Sequence, residues 1–142
     1  MSNVILVLMT LLSTLNTSTT TSQTTLGVTV TNIEAAKGYV VISLYNKASS
    51  FPKEGKHYKQ VKVKVKGTSI KYSFQNLPKG DYAMVAYHDK NSDNECNLNF
   101  VGIPTEGYGF SRNFRPKFTA PGFNDVKFTL KDKYSSNIKL IN

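Results

Sequence analysis

Residues 60–74, QVKVKVKGTSIKYSF, decide the fold class, because apolar and polar side chains alternate along them with a period of two. Three valines alternate with lysines over residues 61–66, and a second alternating run at 70–74 follows Gly67. Successive side chains of a strand point to opposite faces, so this pattern predicts half-buried strands. We expect the two runs to pair as a hairpin across the glycine turn.

Further runs with strand character lie on both sides of this stretch, and convincing amphipathic helix patterns are not found among them. Counted with the first two, they give about seven short strands separated by turns. This spacing predicts an all-β fold, an antiparallel sandwich. The additional runs are residues 28–31, 40–44, 82–88, 125–130 and 135–141.

The turn at residues 76–82, NLPKGDY, supports the same fold. Pro78 fixes one backbone angle and Gly80 permits a positive one, while Tyr82 begins a strand. Its hydroxyl is then in a position to bond back to the turn backbone, the tyrosine corner of Greek-key sandwiches. The turn therefore predicts architecture and carries no chemistry.

Composition excludes several classes of protein. The 142 residues fit one domain, and one Cys with two His rules out four-ligand Cys or Cys/His zinc sites, a disulfide framework and a CxxC redox motif. Phosphate-cradling and dinucleotide-binding motifs are absent from the sequence, as is a recognisable nucleic-acid module, so we expect no specific nucleic-acid binding. A net charge of +9 favours anionic partners.

The first 25 residues differ in composition from the rest. An apolar run covers residues 4–12, residues 13–25 are almost entirely Ser, Thr, Asn and Gln, and the first charged side chain is Glu34. This nine-residue run, interrupted only by Thr10, suits the hydrophobic region of a signal peptide and is too short to span a bilayer. We predict a signal peptide and polar leader at 1–25 and an exported domain at 26–142, periplasmic, in the cell envelope or extracellular, without a transmembrane segment in the mature chain.

The loop after the fifth run carries alternate oxygen-bearing side chains. Asp89, Asn91 and Asp93 resemble positions one, three and five of a calcium loop, and Glu95 adds a carboxylate. Phe100 stands where such a loop has its bidentate Glu. These four residues are therefore candidate calcium ligands, and the alternative is a turn whose Asp and Asn side chains bond their own backbone.

Residues 100–115 are rich in aromatics, glycines and arginines. Glycine allows close backbone approach, and aromatic and Arg side chains supply stacking and planar hydrogen bonds, so Tyr108, Phe110, Arg112 and Arg115 are candidate ligand-binding residues. The alternative is a long loop that folds back onto the sandwich, with its aromatics forming a satellite core.

Other charged or nucleophilic residues give weaker signals. By strand alternation Lys62, Lys64 and Lys66 share one face, which suits a polyanion or simply protects a solvated sheet edge. Cys96 follows His88 closely, but the sequence identifies neither an orienting third group nor an oxyanion hole. We therefore assign no catalytic residue.

Three segments together resemble the bacterial exported proteins catalogued as domain of unknown function 2141. They are YVVISLYN at 39–46, LPKGDYAMVAYHDKNSDNECNLNFVGIPTEGYGFSRN at 77–113 and APGFNDVKFTL at 120–130. The resemblance covers nearly all of residues 26–141. It implies an immunoglobulin-like or transthyretin-like sandwich in the bacterial envelope, with no established activity.

The chain departs from the family in one loop. Family loops usually run D-x-N-x-N-G-x-L-D, which this chain matches at its first two positions, Asp89 and Asn91. Where the family has Asn, Gly, Leu and Asp, this sequence has Asp93, Asn94, Cys96 and Asn97. The change at Cys96 weakens a catalytic role for its thiol, and the loss of a carboxylate at Asn97 weakens a metal site.

These observations favour an exported, non-enzymatic binding or adhesion-type module that contacts an anionic envelope polymer or another envelope protein, with a calcium-stabilised or self-bonded loop. A purely structural domain is one alternative. The other is an envelope-polymer-active enzyme or accessory hydrolase domain, which needs two carboxylates in one cleft. Its candidate carboxylates are Asp89, Asp93, Glu95 and Glu106.

Overall fold

The computed structural model describes residues 23–142, so the predicted signal peptide lies almost wholly outside the described residues. This part of the chain is nearly all β, with eight strands, one four-residue helix, α1 (Phe123–Val126), and a single 3-10 turn (Ser111–Asn113). In chain order the strands are β1 (Thr25–Thr31), β2 (Tyr39–Tyr45), β3 (Lys59–Lys64), β4 (Ser69–Gln75), β5 (Gly80–Asp89), β6 (Tyr108–Phe110), β7 (Phe128–Leu130) and β8 (Lys133–Lys139).

The strands form two sheets. One has three strands in the order β4-β1-β8, and the other has five, in the order β3-β2-β5-β6 with β7 also paired to β5. All strand pairs are antiparallel except β1 with β8, which are parallel. The all-β prediction is confirmed, and the eighth strand is β6, which lies within the segment expected to be a loop.

The hairpin expected across Gly67 is wrong. Strand β3 pairs with β2 and strand β4 pairs with β1, so the turn carries the chain from one sheet to the other. Alternation within each run is nevertheless as expected, because the valines of residues 61–65 face inward while the lysines between them are exposed. The two runs face one core from opposite sheets. Their apolar side chains are therefore buried just as they would be if the two strands were paired in one sheet.

One apolar core lies between the sheets, and a second covers the outer face of the five-stranded sheet. Strand β2 is consequently buried on both faces. The first core combines inward residues of both sheets, among them Leu26, Val28, Val30, Val40, Ile42 and Leu44. The second core consists of Tyr45, Phe51, Ala83, Phe110, Phe123 and Val126.

The turn before β5 is a tyrosine corner, as predicted. Tyr82 is buried, and its hydroxyl donates a hydrogen bond of 2.6 Å to the carbonyl oxygen of Pro78. The strand predicted at 125–130 is shorter than expected. Residues 123–126 are helical because Phe123 and Val126, three positions apart, both enter the second core. Within residues 23–142, α1 is far too short to cross a membrane, and the described chain contains no helix that could do so.

Candidate functional site

The segment between β5 and β6, residues 90–107, contains three of the four predicted calcium ligands and is called the β5–β6 loop. The two strands close its base, where the amide of His88 donates to the carbonyl oxygen of Gly107 at 2.7 Å. Tyr87 pairs with Tyr108, and continuing this antiparallel register places Glu106 opposite Asp89. The loop therefore starts and ends at neighbouring carboxylates.

Asp89, the last residue of β5, organises the first half of the loop. Its side chain is fully buried. One carboxylate oxygen accepts the amide of Asp93 and the other accepts the amide of Asn94, each at 3.1 Å. The ammonium of Lys62 lies 3.1 Å from the second oxygen. This buried carboxylate is thus neutralised by one lysine and hydrogen-bonded to the loop backbone.

Lys62 reaches this position across the neighbouring strand β2. Its ammonium also donates to the side-chain oxygen of Asn94 and lies 4.4 Å from the ring centroid of Tyr39, a cation–π distance. Sequence alternation placed Lys62 in a solvated lysine stripe with Lys64. The pairing of β3 and β5 with β2 brings Lys62, and not Lys64, within reach of Asp89. This difference between the two lysines depends on tertiary structure.

Asp93 closes the turn. One of its oxygens accepts the amide of Glu95 at 2.9 Å, and the other accepts the side-chain amides of Asn91 at 2.8 Å and Asn97 at 3.0 Å. These bonds, led by that from the Glu95 amide, hold the pKa of Asp93 below its ordinary value. The Asp and Asn side chains are therefore bonded to one another and to their own backbone.

This donor arrangement does not fit a calcium loop. The oxygens of Asp89 and Asp93 accept N–H donors, Asn91 directs its amide nitrogen toward Asp93, and a lysine ammonium already sits beside Asp89. Within residues 23–142, no group of three or more His, Cys, Asp or Glu side chains is close enough to hold a metal ion. The geometry favours the self-bonded alternative, and calcium binding stays a prediction of the sequence.

The four candidate carboxylates do not share an open cleft. Asp89 and Glu106 are brought together, but both are buried, and Glu106 accepts the amide of Lys90 at 3.0 Å through one oxygen. Its other oxygen is buried without a hydrogen-bond partner among the described residues. Asp93 and Glu95 lie on the exposed part of the loop. Two of the carboxylates are thus buried at the base of the loop while the other two face solvent.

Cys96 and His88 do not form a nucleophile and base pair. His88 is fully buried, and its Nε2 lies 2.8 Å from the carbonyl oxygen of Lys37. Because neighbours in a strand face opposite sides, His88 points into the core between the sheets while Asp89 points outward. Burial, and then the charge of Glu106, raise the pKa of the Cys96 thiol to about 11. A thiol with this pKa is protonated at neutral pH and is a poor nucleophile.

The far end of the loop is a small hairpin, residues 97–105, which we call the apical hairpin. Asn97 and Thr105 pair at its base, and the amide of Asn99 donates to the carbonyl oxygen of Ile103 at 2.8 Å. The side-chain oxygen of Asn99 accepts two more backbone amides at the tip. Gly102, with φ of 81°, makes the reversal in a conformation that side chains disfavour.

The apical hairpin exposes four large apolar side chains. They are exposed by 58% at Leu98, 100% at Phe100, 61% at Val101 and 53% at Ile103. Phe100, Val101 and Ile103 lie within the aromatic and glycine-rich segment 100–115 predicted from the sequence, but the candidate ligand-binding residues were chosen from its second half, and Leu98 lies outside it. The sequence does contain one indication of this cluster. Its apolar residues are bounded by turn residues and lack the periodicity that would direct them to one buried face of a strand or helix.

The predicted ligand-binding residues fall outside the apical hairpin. Phe110 is buried in the second core and packs edge-on against the half-buried Tyr108, with ring centroids 6.0 Å apart. The structure therefore gives the aromatics the satellite-core role that was the alternative. Arg112 and Arg115 are exposed, and Arg112 has a left-handed backbone with φ of 60°.

Gly107 and Gly109 pack closely against other parts of the chain. A Cβ atom at Gly109 would lie 2.6 Å from a methyl carbon of Ile138 in β8. One at Gly107 would lie 2.3 Å from the side-chain oxygen of Asn142. Both glycines allow close approach, but the surface that they approach is the C-terminal part of the same chain instead of the ligand expected from the sequence.

Lys62→Met is expected to destabilise the protein by about 2 kcal/mol, because the buried Asp89 carboxylate then loses its cation. Lys64→Met, two residues along the same strand and exposed, is the matched control and should change the free energy of unfolding by less than about 0.5 kcal/mol. Urea denaturation measures both. Equal effects of the two substitutions would contradict the assigned role of Lys62.

Calcium is expected to leave the melting temperature of the chelator-treated protein unchanged, because the carboxylate oxygens of the loop already accept N–H donors. Differential scanning fluorimetry with chelator and with millimolar calcium measures the shift. A clear rise that disappears in the double variant Asp89→Ala, Asp93→Ala would instead establish the calcium site predicted from the sequence.

Cys96 is expected to react slowly with iodoacetamide in the folded protein. A pKa near 11 instead of the ordinary 9.0 reduces the thiolate fraction at pH 8 by about a hundredfold. Alkylation in native buffer and in urea, followed by mass spectrometry, measures the ratio of rates. Glu106→Gln removes one cause of the raised pKa and should accelerate native alkylation. Rapid reaction of the native thiol would restore Cys96 as a candidate nucleophile.

Comparison with known proteins identifies a family. The family model described as "Uncharacterized protein conserved in bacteria (DUF2141)" matches residues 28–138, a range that runs from within β1 to within β8 and includes the whole β5–β6 loop. No curated protein and no solved structure matches the chain. The resemblance found in the sequence is confirmed, and the chain belongs to the bacterial family DUF2141.

Proposed function

We propose that this protein is an exported, non-enzymatic binding module whose contact element is the apical hairpin. The observation that carries the proposal is the cluster of four large apolar side chains, 53–100% exposed, between residues 98 and 103. Single exposed apolar residues are ordinary on protein surfaces, but a contiguous projecting cluster is typical of an interaction site.

The base of the loop supports this role. The carboxylates of Asp89, Asp93 and Glu106 accept backbone amides of residues 90–95, which precede the hairpin. Because Glu106 follows the hairpin, its bond to the Lys90 amide joins the two ends of the loop. A contact element that is ordered before binding loses less conformational entropy when it binds. The buried polar residues of the loop thus hold an apolar tip in a defined position.

Export and the finer fold type belong to the same proposal. The apolar run at residues 4–12, followed by a polar leader, supports a signal peptide. A core shared by two sheets and a tyrosine corner at Tyr82 support an immunoglobulin-like or transthyretin-like sandwich. Such a scaffold presents loops at the ends of its sheets, which suits a binding module.

The proposed contact surface is the apical hairpin and does not include the aromatics at positions 108 and 110, which the sequence suggested. Arg112 and Arg115 keep exposed charges that suit an anionic envelope polymer, but their segment has no comparable apolar cluster apart from the single exposed Phe118. The hydrolase alternative has less support, because Asp89 and Glu106 are covered by the loop that they brace. A purely structural domain would not need an apolar hairpin in solvent.

Co-sedimentation with isolated bacterial envelopes tests the proposal. The double variant Phe100→Ser, Val101→Ser should bind at least about tenfold more weakly than the unchanged protein, because it removes two apolar side chains from the contact. Phe118→Ser is the matched control, since this side chain is 97% exposed and lies outside the hairpin.

Unchanged envelope binding in the double variant would contradict the proposal. Equal loss in the Phe118→Ser control would indicate general apolar adsorption and contradict it as well. The two substitutions remove exposed side chains, so circular dichroism and thermal melting should confirm that both variants remain folded.

A further inference from the structure

The shape of the apical hairpin distinguishes between kinds of partner. Its four apolar side chains project from a tight reversal held by Asn99 and Gly102, so they form a convex tip. Phe100 is completely exposed at this tip. A convex apolar tip requires a partner that can close around it, and the interfacial region of a lipid bilayer does so without a preformed groove.

Two uncharged polar residues lie below this tip. Asn97 and Thr105 pair at the base of the hairpin, and the backbone amide of Asn99 donates within it. An apolar tip above uncharged hydrogen-bonding groups matches the change from acyl chains to headgroups across a membrane interface. The hairpin rises from a sheet end, so it can enter the interface while the two sheets remain in water.

Exposed lysines lie at the same end of the five-stranded sheet. Tyr39 pairs with both Lys64 and Asp89, which places the end of β3 beside the start of the β5–β6 loop. The exposed side chains there include Lys37, Lys64 and Lys66, and none of them belongs to an ion pair within residues 23–142.

Carboxylates near the loop offset only part of this charge. Glu34 is paired with Lys90, and Asp89 is paired with Lys62, so Asp93 and Glu95 are the exposed acids of the loop itself. The whole chain carries nine more basic than acidic side chains. Its long-range field therefore favours a negatively charged surface, to which lysines close to anionic lipid are attracted.

We infer that the partner of the apical hairpin is an anionic lipid bilayer, into whose interface Phe100, Val101 and their neighbours insert. This inference rests on the proposed function and specifies its partner. It assigns the binding energy to two sources, apolar insertion by the hairpin and attraction of the exposed lysines to lipid headgroups.

The chain contains no tryptophan, which permits a clean test with the full-length protein. Phe100→Trp places one reporter at the tip of the hairpin, and Phe118→Trp places one at an equally exposed position elsewhere. The probes are vesicles of phosphatidylglycerol with phosphatidylcholine, and vesicles of phosphatidylcholine alone. Because the reporter is local, adsorption through residues 4–12 does not mimic insertion of the hairpin.

We expect the emission of Phe100→Trp to shift to the blue with anionic vesicles and to be quenched by brominated lipid, whereas Phe118→Trp should change little. Apparent affinity should be at least about tenfold higher for anionic than for neutral vesicles and should fall in high salt. Adding Lys64→Gln and Lys66→Gln to Phe100→Trp should weaken binding to anionic vesicles at low salt.

A Phe100→Trp spectrum that does not respond to either kind of vesicle would overturn the inference. If envelope binding still depended on Phe100 and Val101 in that case, the proposed binding function would stand and the partner would be a protein or polymer. Equal affinity for neutral and anionic vesicles, or equal insertion of Phe118→Trp, would also overturn the inference.

Discussion

The ion pair and hydrogen bonds of the buried Asp89 carboxylate hold the β5–β6 loop in place. This carboxylate lies at the last position of β5, accepts two backbone amides of the following loop and pairs with the Lys62 ammonium. Burying an unpaired carboxylate would be costly, so the lysine and the folded loop must be present together. The loop that presents the apolar hairpin is consequently coupled to the edge strand β3, which carries Lys62.

A second constraint is that the five-stranded sheet is covered on both faces. Its outer face holds the cluster that includes Phe51, Phe110 and Phe123. Phe110 belongs to β6, and the other two lie in segments that follow β2 and β6. The aromatic residues and glycines around positions 107–114 were expected from the sequence to bind a ligand. Most of them instead pack within the protein. The apical hairpin is left uncovered, since its residues lie beyond the end of the sheet, and Phe118 is exposed separately from it.

Three lysines of this protein have different environments. Lys62 neutralises a buried carboxylate, Lys90 pairs with Glu34 at 2.7 Å, and Lys64 is exposed. Only lysines of the exposed kind contribute freely to attraction of an anionic surface, because a paired charge is compensated at short range. The apolar hairpin and the exposed lysines lie at one end of the molecule, which lets both act on a single partner surface.

The sequence by itself determined the all-β class, the alternation of strands such as 61–65 and the tyrosine corner at Tyr82, because these depend on neighbours only a few positions apart. It also determined the family. Tertiary structure alone decided that the chain crosses between sheets at Gly67, and that Lys62 binds Asp89. Apolar alternation specifies which face of a strand is buried without specifying its partner strand. The contact between Lys62 and Asp89, which are 27 positions apart, depends on the register of the assembled strands.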